Sequence, residues 1–278
     1  MIATLILVFR EIIEAGLIVG IVLAATQGVP GRATAVSAGV AGGIMGACVV
    51  AAFAGAIGNL FQGAGQELFN AAILGLAVLL LTWHTVWMAS HGREMARDMT
   101  EFGGHVAMGN RSLAALAVVV GVSVLREGSE LVLFLYGLAA AGGTGAAGML
   151  IGGVLGLLAG VGLSALMYFG LVTIPTHRLF KVTGMLIALV AAGLAAQSVS
   201  FLQQAGLLQQ LSEPLWDTSH LLSQSGSVAG RVLHTLVGYI DQPNAAELIA
   251  YVFVLMGMVG LTRIARRKRP HRGKSTVS

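Results

Sequence analysis

The first 25 residues read MIATLILVFREIIEAGLIVGIVLAA, an apolar run that carries Arg10, Glu11 and Glu14 near its middle. A hydrocarbon core about 30 Å thick needs about 20 apolar residues in a helix, so this run is long enough to cross a bilayer. The apolar region of a secretory signal peptide would not contain these three charges. We therefore expect a retained first transmembrane helix that places ionisable side chains near mid-membrane depth.

The composition of the whole chain is typical of a membrane protein. Of its 278 residues, 56% are hydrophobic and only 10% are charged, whereas a soluble domain carries about 25% charged residues. The mean hydropathy is +0.85 and the isoelectric point is about 9.6. The basic residues collect in short loops and at the C-terminus, which argues against nucleic-acid binding. Cys48 is the single cysteine, so we expect neither a disulfide within the chain nor a thiolate site for a soft metal.

Seven apolar stretches are long enough to span the membrane, and they predict an all-α polytopic protein. The polar segment 206–244 should form an amphipathic helix and loop on the outer face. We expect a single transmembrane domain over residues 1–264, followed by a basic cytoplasmic tail at 265–278. The seven predicted spans are residues 2–26, 34–58, 67–90, 113–140, 144–172, 178–205 and 245–264.

The distribution of lysine and arginine predicts the orientation. With the N-terminus outside, the outer segments contain only Arg231, and Arg10 and Arg126 lie within helices. All the other basic residues then lie on the cytoplasmic side, as the positive-inside rule requires. They are Arg32, Arg93, Arg97, Arg111, Arg178, Lys181, Arg263, Arg266, Arg267, Lys268, Arg269, Arg272 and Lys274.

The chain also carries an internal repeat. REIIEAGLIVGIVL at residues 10–23 resembles REGSELVLFLYGLA at residues 126–139. An offset of three helices predicts a 3+3 inverted repeat, with one copy at about 1–100, the other at about 111–205, and the seventh helix added. Glycines of the second helix in each copy allow close packing within one chain or between chains; they are Gly39, Gly43, Gly152, Gly156 and Gly160.

The two Arg-Glu-x-x-Glu motifs contain the candidate metal ligands. Glu11 and Glu14 are three residues apart and share a helix face, and Arg10 can pair with Glu14 at four residues. Arg126, Glu127 and Glu130 repeat this spacing. Each charge at a helix centre opposes insertion by about 2.5–3.5 kcal/mol. Ionised carboxylates suit hard cations. The alternative is a structural ion-pair network that holds two helices together.

The two motifs resemble the paired Arg-Glu-Gly-Leu-Glu motifs of the oxidase-dependent iron permease family. WHTVWMASHGREMARDM at 83–99 and PLWDTS at 214–219 also resemble family segments. This sequence departs from the pattern at Ile12, Ile13 and Ser129, but it keeps the acids and arginines. The resemblance implies seven helices with the N-terminus outside. It also implies that Glu11, Glu14, Glu127 and Glu130 bind iron during permeation, supported by Arg10 and Arg126.

We therefore expect an iron-uptake permease of the bacterial cytoplasmic membrane that moves iron, as Fe³⁺ after oxidation at the outer face. Its partners would be the iron ion, membrane lipids and a periplasmic oxidase or iron-binding protein, and we expect no resident cofactor. Transport of another cation such as Mn²⁺ or Pb²⁺ is the first alternative. An intramembrane metal-dependent enzyme is the second, although the chain has no His-Glu-x-x-His signature.

Several other residues are weaker candidates for the metal path. One group, spaced by alternating intervals of three and four, would share one face of a helix on the inner side of the third span. This spacing fits either a cytosolic metal-exit site or a solvated interfacial helix. His84, deep in the third span, would bond a carbonyl or join the path, and in Asp217-Thr218-Ser219-His220 the resemblance suggests Asp217 as an outer ligand. The evenly spaced group is His91, Glu94, Asp98, Glu101 and His105.

Overall fold

The computed structural model describes residues 1–60, 65–142, 145–171, 176–209, 211–223 and 227–267, and this part of the chain is helical, without a β-strand. The basic tail predicted at 265–278 lies outside the described residues from 268 onward. The helices are α1 (Ile2–Ala25), α2 (Arg32–Leu60), α3 (Gln66–Ala107), α4 (Leu113–Ala140), α5 (Ala146–Tyr168), α6 (Thr176–Gln204), α7 (Val228–Val237) and α8 (Ala245–Arg267).

Among the described residues, five helices are long and apolar enough to cross a membrane, and they are parts or all of α2, α3, α5, α6 and α8. Their spans are Arg32–Ala56, Gln66–Gly92, Ala146–Tyr168, Leu179–Gln204 and Ala245–Ala265. The helix α1, with 24 residues, and α4, with 28, match them in length but carry the two charged motifs. In the segment after α6, the predicted amphipathic helix corresponds to α7.

Helix α3 is much longer than the predicted third span. Its 42 residues correspond to about 63 Å at 1.5 Å per residue, about twice the thickness of the hydrocarbon core. Beyond Gly92 it continues through the stretch that carries the evenly spaced His and acidic residues. There Met99 and Phe102 pack beside the buried Val106 against the ends of α1 and α4. This packing explains why the polar stretch is helical.

Two buried apolar clusters lie at different levels of the bundle. The first apolar cluster joins the N-terminal half of α1 to the C-terminal half of α4, with α3, α6 and α8, and includes Leu7, Leu74, Leu81, Phe134 and Leu138. The second apolar cluster joins the other halves of α1 and α4 with α2 and α3, and consists of Val22, Val36, Val106, Leu116 and Val120. The charged motifs lie between the two clusters along both helices.

Glycines allow two helix pairs to approach closely. On α5, a Cβ atom at Gly156 would lie 2.6 Å from the Leu5 carbonyl oxygen of α1. On α2, a Cβ atom at Gly43 would lie 2.7 Å from the Gly121 carbonyl oxygen of α4. These glycines therefore serve packing within one chain, with α1 against α5 and α4 against α2. Helix α3 packs on α6, where Ser198 donates a hydrogen bond of 2.8 Å to the Ala71 carbonyl oxygen.

This packing predicts opposite effects for two nearby glycines on α5. A Cβ atom at Gly156 would overlap the α1 backbone, whereas one at Gly153 would meet nothing within 4 Å. We expect Gly156→Ala to destabilise the protein by about 1–3 kcal/mol through overpacking. As the matched control, Gly153→Ala should be neutral or stabilise by up to about 1 kcal/mol through helix propensity. Thermal unfolding of the purified protein in detergent measures both, and equal stabilities would contradict the close α1–α5 contact.

Candidate metal centre

The two charged motifs have the same local geometry on α1 and α4. In α1 the Arg10 Nε donates to Glu14 Oε1 at 2.8 Å. In α4 the Arg126 Nε donates to Glu130 Oε1 at 3.0 Å. Both bonds join residues four apart, so each helix presents its arginine and second glutamate on one face. The repeated sequence thus forms two equivalent ion pairs.

His84 of α3 lies between the carboxylates of the two motifs. Its Nε2 is 3.1 Å from Glu14 Oε2 and 3.9 Å from Glu11 Oε2. Its Nδ1 contacts the Glu130 carboxylate on the opposite side. The imidazole therefore connects an α1 carboxylate to an α4 carboxylate. His84 thus contacts carboxylates of both motifs, and its place on the metal path stays a prediction.

Four side chains converge closely enough to share one ion. One ligand atom from each lies within 4.8 Å of the others. Opposed ligands of an ion bound at about 2.1 Å are about 4.2 Å apart, so a small inward movement would bring all four into coordination. Carboxylates suit hard cations, and imidazole suits iron, zinc, nickel and copper. The four residues are Glu11, His84, Glu127 and Glu130.

Several buried oxygens in this centre make no hydrogen bond. Within the part of the chain that the structure describes, both Glu11 carboxylate oxygens and Glu127 Oε2 have no hydrogen-bond partner. The Arg10 Nη1 lies 3.7 Å from Glu11 Oε1, too far for a strong hydrogen bond. A buried carboxylate oxygen without a donor is unfavourable. Arg10 and Arg126 donate hydrogen bonds to Glu14 and Glu130 instead. Both features favour a bound cation.

The two motifs differ in their surroundings. The Arg10 side chain is 3% exposed and Glu14 1%, whereas Arg126 is 37% exposed and Glu130 22%. The Arg126 guanidinium instead lies over the Trp87 ring, 4.3 Å from the ring centroid, in a cation–π contact. Trp87 in turn stacks on His91 at 5.2 Å between centroids. One arginine is thus enclosed by protein, and the other is held by an aromatic ring near the bundle surface.

The evenly spaced residues of α3 lie apart from the metal centre. They share a helix, as the spacing predicted, and the four beyond His91 lie on the part that extends past the candidate span. The Glu101 side chain is 77% exposed, and its Oε1 is 3.9 Å from His105 Nε2. His91 contacts Trp87 and Ser90. Their exposure agrees with the solvated-helix interpretation; the exposed acids in this group are Glu94, Asp98 and Glu101.

Asp217 is also remote from the centre. It lies in the segment between α6 and α7, where Oδ1 accepts a hydrogen bond from the Ser219 N–H at 2.8 Å. Its Oδ2 accepts one from Gln242 Nε2 at 2.9 Å. The hydrogen bonds from Ser219 lower the pKa of Asp217, so it stays ionised at neutral pH. Both carboxylate oxygens already have partners within the loop.

Trp87 contributes to the site in a way that the sequence did not indicate. An indole in a membrane protein is typical of an interfacial anchor, but here it supports Arg126. Trp87 follows His84 by three residues on α3, so the two share a face. The sequence signal that could have identified Trp87 is a histidine and an aromatic residue at helical spacing within an apolar span, in a chain that also carries buried charged motifs.

Comparison with known proteins agrees with the resemblance of the motifs. The chain is 33% identical over 192 residues to the ferrous iron permease EfeU of Shigella flexneri, a match that covers 69% of this chain and 80% of that protein. It has the same identity over the same length to the ferrous iron permease EfeU of Escherichia coli O157:H7 and of Escherichia coli O6:H1, covering 68% of each. No solved structure matches.

The match to a known family extends over nearly the whole chain. Residues 1–265 match the iron permease FTR1 family. The membership predicted from the two motifs is thereby confirmed, and so is the expectation of a transporter rather than an enzyme. The chain belongs to the iron permease FTR1 family and is a multi-pass membrane permease.

Proposed function

We propose that this protein takes up iron across the bacterial cytoplasmic membrane through the metal centre between α1, α3 and α4. The observation that carries the proposal is the convergence of ligand atoms from Glu11, His84, Glu127 and Glu130 in a buried site. Glu14 borders this group through His84. The names of the relatives support iron as the substrate, since they are ferrous iron permeases.

In this proposal α1 and α4 also cross the membrane, which gives seven spans. Each has the length to do so, and its charges pair within the bundle instead of facing lipid. Seven spans place the N-terminus outside and the C-terminus inside, because the lysines and arginines then collect on the cytoplasmic side. The whole of 1–264 forms one transmembrane domain, with 206–244 outside and the basic tail 265–278 in the cytosol.

We also propose that the bundle is a 3+3 inverted repeat, with copies at about 1–100 and 111–205 and the seventh helix added. Three observations support it. The first helix of each copy carries the charged motif. The first helix of each copy packs on the glycine face of the second helix of the other copy. Helix α4 packs on α2 at Gly43, and α1 packs on α5 at Gly156. The third helices pack on each other. Inverted repeats place the substrate site near mid-membrane between the copies.

The chemistry assigned to each side chain follows from its charge. The glutamates replace the water ligands of iron, with His84 as a nitrogen ligand that also separates the α1 and α4 carboxylates. Arg10 and Arg126 offset part of the negative charge, and this keeps binding weak enough for release. Iron arrives as Fe³⁺ after oxidation at the outer face, by a periplasmic oxidase or iron-binding partner. Anionic lipids contact the basic tail.

Uptake into proteoliposomes tests the substrate and its oxidation state. We expect purified protein to admit radiolabelled iron supplied as ferric citrate, and ferrous iron held reduced by ascorbate to enter more slowly. Mn²⁺ and Pb²⁺ in equal concentration should compete weakly, because three carboxylates favour the more highly charged ion. Faster entry of ferrous iron would overturn the ferric assignment. Strong competition together with direct Mn²⁺ or Pb²⁺ uptake would assign the site to that cation.

A further inference from the structure

A cavity of about 450 Å³ opens beside the metal centre, between α3, α6 and α8. Arg10 and Glu14 form its polar inner end, while Lys181 and Arg263, both exposed, lie at its other end. Its walls are apolar between these two ends and include Ala188 and Met258. The cavity therefore reaches from a buried carboxylate of the centre to positively charged side chains at one face of the bundle.

On the opposite side of the centre lies the part of the first apolar cluster that α1, α3 and α4 contribute. Leu7, Leu81 and Phe134 are among its fully buried side chains. The Phe134 ring meets the His84 ring edge to face, with 6.3 Å between centroids, so the cluster begins directly at the centre. A dry apolar constriction of this kind blocks a hydrated ion. Access to the centre in this structure is thus unequal on the two sides.

We propose that this cavity is the cytosolic exit of the metal path, with Glu14 as the ligand that passes iron into it. The inference rests on the proposed function, which places Lys181 and Arg263 in the cytosol. Glu14 and Arg10 are the charged residues of the centre that line the cavity. Glu14 Oε2 faces His84, and Oε1 is held by Arg10. An ion leaving His84 therefore meets Glu14 before it meets water.

Arg10 has a defined place in this exit. Its Nε holds Glu14, and its Nη1 has no hydrogen-bond partner although the side chain lines the cavity. The guanidinium also repels iron from returning. In this proposal the outer side of the centre is closed and the cytosolic side is open.

Cysteine labelling tests this inference in membrane vesicles of either orientation. In a Cys48→Ala background, Ala188→Cys places a thiol in the cavity wall. Ala191→Cys is its matched control, three residues along α6. Both alanines belong to the first apolar cluster, but Ala191 is fully buried and is not among the described residues that line the cavity. We expect a charged, membrane-impermeant thiol reagent to modify Ala188→Cys from the cytosolic side alone, and Ala191→Cys from neither side. Ala89→Cys, on the α3 wall of the cavity, is the second reporter if Ala188→Cys does not fold.

The other labelling outcomes overturn the inference. Modification from the periplasmic side would reverse the direction of the cavity. Modification by neutral N-ethylmaleimide but not by the charged reagent would mean that lipid, and not water, fills it. A bulky adduct on Ala188→Cys should abolish iron uptake, and unchanged uptake would remove the cavity from the path. If the unlabelled protein carries no iron at all, the proposed function fails, while the labelling result still reports whether the cavity is open to the cytosol.

Discussion

Replacing Glu11 by glutamine should lower iron uptake by about tenfold or more while membrane abundance stays unchanged. Glu11 belongs to the four residues whose ligand atoms converge, and neither of its oxygens accepts a hydrogen bond. Glu11→Gln therefore breaks no hydrogen bond and keeps the side-chain shape, but it removes one negative charge and a strong ligand. Loss of a residue that only hydrogen-bonds a metal ligand already weakens metal affinity by about 10- to 100-fold, and Glu11 is proposed as a ligand itself. Radiolabelled iron uptake in cells that lack their own high-affinity uptake measures the effect.

Two further variants make the uptake result specific. Glu127→Gln should reproduce the loss from the α4 side, because Glu127 is buried and Oε2 has no hydrogen-bond partner. Glu101→Gln removes the same charge on the exposed extension of α3 and should leave uptake unchanged. Normal uptake in both Glu11→Gln and Glu127→Gln would contradict the permeation role. The motifs would then be a structural ion-pair network that holds α1 and α4 together.

The helices were largely predictable because membrane spans depend on long apolar runs. The predicted spans 2–26 and 113–140 correspond to Ile2–Ala25 and Leu113–Ala140. The polar spacing from His91 onward suggested a helix there, but not that it continues the third span to Ala107 as one helix, because this stretch has no strong apolar pattern of its own. Its helix depends on tertiary contacts of Met99 and Phe102 with the ends of α1 and α4. Such contacts cannot be read from local sequence.

The convergence of the acids was predictable, but the histidine was not. Glu11 and Glu127 share the repeated motif, and the cost of burying charges in a membrane indicates that the two helices meet. His84 has no acidic residue or histidine three or four positions away in the sequence. Only the packing of α3 against both α1 and α4 puts its two ring nitrogens between carboxylates. The packing of α3 against both helices depends on the whole bundle, so the sequence of the third helix alone does not predict it.

The difference in burial between the two motifs could not be predicted from the sequence either. REIIE and REGSE have the same spacing of charges, yet Arg10 is enclosed and Arg126 lies partly exposed over Trp87. A repeat in sequence specifies equivalent bonds along each helix. The surroundings depend on which neighbours cover that helix, and α1 and α4 have different ones. The inequality has a direct consequence for stability.

Arg10→Gln should destabilise the protein far more than Arg126→Gln. Removing Arg10 leaves the buried Glu14 without its donor at 2.8 Å, and breaking a buried ion pair in this way costs about 3–5 kcal/mol. Removing Arg126 breaks a similar bond at 3.0 Å and a cation–π contact, but partial exposure limits the loss to about 1–2 kcal/mol. Thermal unfolding in detergent and the folded fraction on size-exclusion chromatography compare the two variants.

The double variant Arg10→Gln/Glu14→Gln tells whether Arg10 stabilises the protein through its ion pair or through the packing of its side chain. Removing both partners eliminates the uncompensated buried charge, so the double variant should be more stable than Arg10→Gln alone. If the loss came instead from the packing of the arginine stem, the second substitution would add to it. Equal destabilisation by Arg10→Gln and Arg126→Gln would contradict the difference in burial. Because Arg10 also borders the exit cavity, its ion pair couples the stability of the bundle to the residue that we propose releases the ion.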